Sequence, residues 1–318
     1  MRVLSHGPTG TGGNGGTNGG FHGVGPALVT PMTSDGEVDL DAFATHVEWV
    51  MDAGVHFLVP CGTTGESATL TGEEQLRVIR RAVEVAGGRV PVMAGAGTNS
   101  TRDAVELARA AAGTGADALL SVSPYYNKPT QEGLFLHYRA VAAAVEIPVF
   151  VYNVPGRTSS NVAPATLFRL AEEVENIAGV KEASGDIQQV MTILRDRPAG
   201  FSVLSGEDHL TFALMALGGE GVVSVVANEA PGPMATLTDL LREGRLRSAR
   251  KLHNRLLPLM RANFVETNPI PVKTALEMMG HFDCHLRLPL TPLGSGARDT
   301  LREALESVGL LDEAKETA

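Results

Sequence analysis

From about residue 24 the chain repeats one unit: a short apolar run rich in β-branched residues, then a longer amphipathic stretch. The runs are PALVT (26–30), HFLVP (56–60), PVMAGAG (91–97), ALLSVS (118–123), PVFVYNV (148–154), IAGVKEA (177–183), FSVLSG (201–206) and GVVSVVA (221–227). Between them apolar residues recur at helical spacing, as Phe43, Val47, Val50 and Met51 do within 39–53. Runs that are apolar nearly throughout suit parallel strands buried on both faces. A doubly wound open sheet gives the same βα alternation. Eight successive units with no domain break favour closure, and the predicted fold class is α/β, a (β/α)8 TIM barrel.

After the eighth unit come helical stretches at about 245–262, 271–279 and 298–308. They are read as a C-terminal helical extension packed on the barrel. The expected organisation is a flexible Gly-rich N-terminal tail (1–22), a (β/α)8 barrel catalytic domain (23–244), the helical extension (245–310) and a second flexible tail (311–318). The glycines of TGGNGGTNGG follow no strand and precede no GK[ST], so a phosphate-binding loop is not expected there.

Composition narrows the function classes. With 43% hydrophobic and 19% charged residues, the chain can bury a large core. A net charge of −10 argues against attraction to nucleic acid or to an anionic membrane surface. No apolar run reaches spanning length, no secretory or transit segment is read at the start, and a cytoplasmic location is expected. Two cysteines, Cys61 and Cys284, far apart, make a disulfide framework or cysteine metal site unexpected. No HxH, HExxH or GxGxxG pattern is present, so neither a metal nor a dinucleotide cofactor is expected.

Polar residues punctuate the predicted strands at their C-terminal ends: Thr30, Thr63, Tyr126, Tyr152, Lys181, Ser205 and Ser224. In a barrel that is the face on which chemistry is built. Lys181 stands in an apolar run, where it either extends its ammonium toward solvent or serves as a nucleophilic amine, since desolvation favours the neutral amine. Tyr152 is either a core aromatic or a proton-transfer phenol on the neighbouring strand, with Thr63 and Tyr126 available as relay hydroxyls. The CGTTGES loop presents N–H groups and Thr64 to a small carboxylate, although a plain turn accounts for it equally. Arg157 in YNVPGRTSSN is either a solvated loop charge or a bidentate carboxylate clamp. His209 in SGEDH has acidic neighbours, with Glu207 or Asp208 read as caps of the following helix. Together these groups suit addition or cleavage at a carbonyl of an anionic substrate.

The motifs GTTGESATL (62–70), PYYNKPTQEG (124–133), YNVPGRTSSN (152–161), GVKEASGD (179–186), SGEDH (205–209), GVVSVVAN (221–228), NPIPVKTAL (268–276) and RLPLTPL (287–293) occur in order. In these the chain resembles the dihydrodipicolinate synthase family of pyruvate-dependent Schiff-base aldolases, over about residues 22–310. The resemblance implies that Lys181 forms a Schiff base with pyruvate and that Tyr152 exchanges protons through Thr63 with Tyr126. It implies that Thr64 and the backbone at Val223 hold the pyruvate carboxylate, and that Arg157 receives L-aspartate-4-semialdehyde. It also implies no cofactor beyond the covalent imine, and a homo-oligomer, a tetramer built from tight dimers, in which Tyr126 enters the neighbouring subunit's site. Another Schiff-base aldolase or dehydratase acting on a sugar acid or related 2-keto acid is the alternative. Where lysine-inhibited relatives carry inhibitor-cradling side chains, this chain has Gly72 and Gln75, and Asp103 stands for a longer glutamate. Ser67, Ala68, Asn99 and Tyr125 are retained, and weak or absent inhibition by lysine is expected.

Overall fold

The computed structural model describes residues 20–311. Seven parallel strands, β1 (Gly23–Pro26), β2 (Met93–Gly95), β3 (Ala118–Val122), β4 (Val149–Asn153), β5 (Ile177–Glu182), β6 (Ser202–Ser205) and β7 (Gly221–Ser224), form one sheet. Their spatial order is β1-β7-β6-β5-β4-β3-β2. The gap between β1 and β2 is filled by the 56–60 run. His56 and Val59 donate to the carbonyls of Val24 and Pro26, and Leu58 donates to Pro91 and accepts from Met93. This eighth stave closes the (β/α)8 barrel, pairing through bridges Ala27–Val59 and Leu58–Val92.

The first strand begins earlier than the β-branched PALVT run suggests. A side chain at Gly25 would lie 2.2 Å from the Phe57 ring, and one at Gly23 2.5 Å from the His56 ring. The large residues of the eighth stave occupy the space, so β1 must be glycine where it passes them.

The barrel interior is a small layer of its own: Phe21, Phe57, Met93, Phe150, Tyr152 and Val223 are among its buried members. Phe21 packs edge-to-face on Phe57 and Phe150, each at 5.5 Å between centroids. It lies inside the segment expected as tail, yet it is 1% exposed and fills the N-terminal end of the barrel. Residues 1–19 of the expected 1–22 tail lie outside the described residues, as do residues 312–318 of the second.

Helices α1 (Leu40–Asp52), α2 (Gly72–Ala86), α3 (Thr101–Ala112), α4 (Gln131–Ala142), α5 (Pro155–Thr158), α6 (Pro164–Glu173), α7 (Ile187–Asp196), α8 (Thr211–Ala216) and α9 (Pro231–Arg242) accompany the strands. Their apolar stripes bury a continuous outer core against the staves. Sequence signals set several starts: Asp39 caps α1, Thr130 caps α4, and Thr71 with Glu74 forms a capping box on α2. Beyond the barrel, α10 (Leu246–Ala262), α11 (Ile270–Met278) and α12 (Ser295–Val308) pack on one another and on α8 and α9. Among the described residues no helix is long and apolar enough to cross a membrane.

The extension is tied to the barrel mouth by charge. Lys273 of α11 is fully buried, with Nζ 2.7 Å from Glu66 Oε1, and it also donates to the carbonyls of Thr30 and His285. Glu66 closes the CGTTGES loop in a left-handed conformation, φ 56°. Arg287 forks onto Glu74 with Nη1 and Nη2 at 2.9 and 2.5 Å and also donates to Thr69 and Gly36 carbonyls. The Arg287 hydrogen bonds bring the Glu74 carboxyl down to about 2.

Candidate active site

Parallel pairing of β4 with β5 places Tyr152 beside Lys181 in register. Both side chains point into the barrel at its C-terminal half, 6% and 5% exposed, and Lys181 Nζ lies 4.0 Å from the Tyr152 ring centroid. A side chain at Gly206 would sit 3.1 Å from Lys181 Cε, so the glycine after β6 leaves the lysine arm its path. The lysine is therefore not the solvent-seeking strand end that its residue type allows.

Asp208 and Glu207 interact with this amine by charge, and a third carboxyl, Glu182, follows it on β5. Asp208 is buried, and burial raises its pKa against the opposing hydrogen bonds from Ser224 and the Val226 and Val225 N–H groups and the charge of Lys181. Its Oδ2 accepts from Val225 N at 2.9 Å and Val226 N at 3.1 Å, pinning the chain where β7 ends. Glu182 follows Lys181 on β5, and its carboxyl is raised by burial although Ser184, Asn153 and Gln189 donate to it. Glu207 is pushed up to about 6 by burial and by Asp208, while Lys181 and Arg157 pull it down. The capping role expected for Glu207 and Asp208 is corrected. Neither side chain caps the helix that follows: Asp208 reaches across to the end of β7, and Glu207 makes no capping hydrogen bond.

The Glu207 shift makes a stability prediction. A carboxyl whose folded pKa is raised from 4.5 to about 6 stabilises the fold below pH 4.5 and loses that contribution as pH rises through 6. Its side chain is 25% exposed, and the span corresponds to roughly 1–2 kcal/mol. Glu207→Gln should therefore gain stability relative to the parent as pH rises across that window. Urea midpoints at the two ends measure it, and parallel curves would disprove the assignment.

A cavity of about 570 Å³ opens at the mouth, lined by Thr63, Ser67, Gln75, Tyr125, Val154 and Arg157 among others. A second cavity of about 30 Å³ shares Thr63 with it and is also lined by Tyr152. Thr63 thus borders both the outer cavity, where Arg157 stands, and the one that Tyr152 lines. Arg157 sits on the short helix α5, started by Pro155, and its Nη2 donates to the Asn268 carbonyl at 3.3 Å. Thr64 is buried and its Oγ1 accepts from Asn268 Nδ2 at 3.0 Å. Val223 lies in the interior layer on β7, opposite Gly25.

Tyr126 is not brought to this site within one chain. It holds φ 73°, its N–H donates to Thr158 O, and its side chain is 89% exposed. The neighbouring Tyr125 lines the cavity instead. Among the described residues no three His, Cys, Asp or Glu side chains group closely enough to hold a metal ion.

Asn268, Lys273, Glu207 and Asp208 all lie in motifs visible in the sequence, but no local pattern gives them these contacts. Asn268 meets Thr64 across 204 positions and Lys273 meets Glu66 across 207.

A closed βα barrel with this mouth belongs with the enzymes, and its relatives are lyases. The chain belongs to the dihydrodipicolinate synthetase family, whose model matches residues 20–308. It is 53% identical over 285 residues to a 4-hydroxy-tetrahydrodipicolinate synthase of Prosthecochloris aestuarii, covering 90% of this chain and 96% of that one. Among solved structures it is similar to dihydrodipicolinate synthase from Thermotoga maritima, with TM-score 0.90 and 45% identity over 92% of this chain and 100% of that one. A chloride-inhibited dihydrodipicolinate synthase from Acinetobacter baumannii, complexed with pyruvate, matches with TM-score 0.89 and 46% identity, over 91% and 99%.

Proposed function

We propose that this chain is a 4-hydroxy-tetrahydrodipicolinate synthase, condensing pyruvate with L-aspartate-4-semialdehyde. The observation that carries this reading is the in-register pair of Lys181 and Tyr152 at the floor of the mouth. The Lys181 amine adds to the pyruvate ketone, and loss of water gives the imine. Removal of a methyl proton yields the enamine, whose carbon attacks the semialdehyde carbonyl and forms the new C–C bond. The substrate's own amine then attacks the imine carbon, closes the ring and releases Lys181. Net, the two substrates become the cyclic product and one water.

Each step needs proton movement at a hydroxyl-rich position. Tyr152 is the group that reaches the reacting atoms, and Thr63, which borders both cavities, hands protons outward. Tyr126 completes the relay from a neighbouring subunit, a reading supported by its exposure. The active form is then a homo-oligomer, a tetramer of tight dimers. Thr64 and the backbone at Val223 take the pyruvate carboxylate, and Arg157 takes the semialdehyde carboxylate. No cofactor beyond the imine enters the reaction, and the location proposed is the cytoplasm. The barrel at 23–244 carries this chemistry, and the extension at 245–310 braces its mouth.

The test is an assay with both substrates alongside borohydride reduction with pyruvate alone. Mass added at Lys181 together with condensation of the semialdehyde is the expected result. An adduct without condensation would assign the chain to another 2-keto acid. Arg157→Ala should leave pyruvate trapping intact and lower kcat/KM for the semialdehyde roughly 10–100-fold, the loss of a charged hydrogen-bonding pair. Unchanged semialdehyde kinetics would reject the arginine's role. Lysine should inhibit weakly or not at all, and half-inhibition at sub-millimolar lysine with subsaturating pyruvate would contradict this.

A further inference from the structure

We propose that Asn268 is a positioning residue that sets the direction of the Thr64 hydroxyl, so that its single proton is offered to the first substrate's carboxylate. The inference rests on the reading of Thr64 as a carboxylate-binding group. Asn268 is 5% exposed and follows the end of α10, far in sequence from the loop it touches. Its Nδ2 donates to Thr64 Oγ1 at 3.0 Å, between two buried side chains.

A threonine hydroxyl carries one proton and two acceptor positions. Once Oγ1 accepts from an amide N–H, the bond to Asn268 cannot consume that proton. Among the described residues this is the side-chain hydrogen bond that Thr64 makes. The hydroxyl therefore remains a donor, and a carboxylate in the mouth is an acceptor-only partner. The Asn268 Oδ1 is buried and unpartnered, so the amide is recruited here through its donor side.

The same residue touches the second binding group by different chemistry. Its main-chain carbonyl accepts from Arg157 Nη2 at 3.3 Å. Side-chain substitution removes the Thr64 contact and leaves that carbonyl in place. The two half-sites are thus separable at one position.

Three variants test the proposal, with thermal melting as the check on folding. Asn268→Ala should raise the pyruvate KM several-fold, up to about tenfold, while the semialdehyde KM stays within about twofold. Asn268→Asp keeps the shape but replaces the donor by an ionised acceptor, measured at alkaline pH. It should raise the pyruvate KM about another tenfold beyond alanine, because the hydroxyl then turns to the aspartate. A merely structural role gives the opposite order, with the near-isosteric aspartate milder than alanine. Thr64→Val should raise the pyruvate KM, and in that background Asn268→Asp should be no worse than Asn268→Ala.

If Thr64→Val leaves the pyruvate KM unchanged while Lys181 still traps pyruvate, the reading of Thr64 fails and this proposal falls with it. If Thr64→Val raises that KM but aspartate is no worse than alanine at 268, the positioning role alone is overturned. If Asn268→Asp does not fold, Asn268→Ala decides: a semialdehyde KM moved as far as the pyruvate KM overturns the role.

Discussion

Lys181→Ala should abolish reducible adduct formation with pyruvate and lower turnover by roughly three orders of magnitude or more. Among the described residues Lys181 is the lysine that lies against the Tyr152 ring, at 4.0 Å from its centroid. The substitution also removes a positive charge that opposes the raised Asp208 and Glu207 carboxyls. Lys181→Arg separates these effects. A guanidinium keeps the charge, yet it stays protonated and has no free lone pair for a ketone. Arginine should therefore be as inactive as alanine, while its fold resists alkaline pH more as the parent's does. Retention of a borohydride adduct in either variant would move the nucleophile elsewhere.

The second large effect is on stability. Lys273→Met leaves the Glu66 carboxylate fully buried without its ammonium, and Glu66→Gln leaves the ammonium facing only carbonyls. Each single change should cost about 3–5 kcal/mol, because it strands a charge that water cannot reach. The double variant Glu66→Gln with Lys273→Met strands none. It should lose much less than the sum of the two, since burying an ion pair is itself expensive. Denaturant unfolding of all four proteins gives the coupling directly. A double variant whose loss equals the sum would show that the pair acts as two independent polar groups. Because Glu66 closes the loop that carries Thr63 and Thr64, both singles should also depress activity in the fraction that remains folded.

The barrel was legible because burial on both faces forces continuous apolar runs, and eight such runs survive in the sequence. The same logic exposed Lys181, which with Glu182 puts charge into a run that is otherwise apolar. The start of β1 was hidden because its residues are selected by Phe57 and His56 on the neighbouring stave, which demand glycine rather than a strand former. Phe21 was hidden by the polar, glycine-rich stretch before it, although its ring belongs to the interior. Glu207 and Asp208 look like helix caps locally, and only the closing of β6 onto β7 brings Asp208 to the Val225 and Val226 amides. Asn268 had no visible partner, since its hydrogen bond to Thr64 spans most of the chain. Periodicity reports which face a residue occupies; it carries no information about which distant side chain it will meet.

The buried pair between Glu66 and Lys273 also sets an order of events during synthesis. A ribosome adding about 5–20 residues per second needs roughly 10–40 s to extend from the first partner to the second, 207 positions later. Throughout that interval Glu66 lacks the ammonium with which it pairs in the folded protein. All the strands of the barrel emerge before α11 does. The CGTTGES loop is therefore among the last parts of the molecule to mature, and a chain stalled or cleaved after its barrel would carry Lys181 without the brace on that loop.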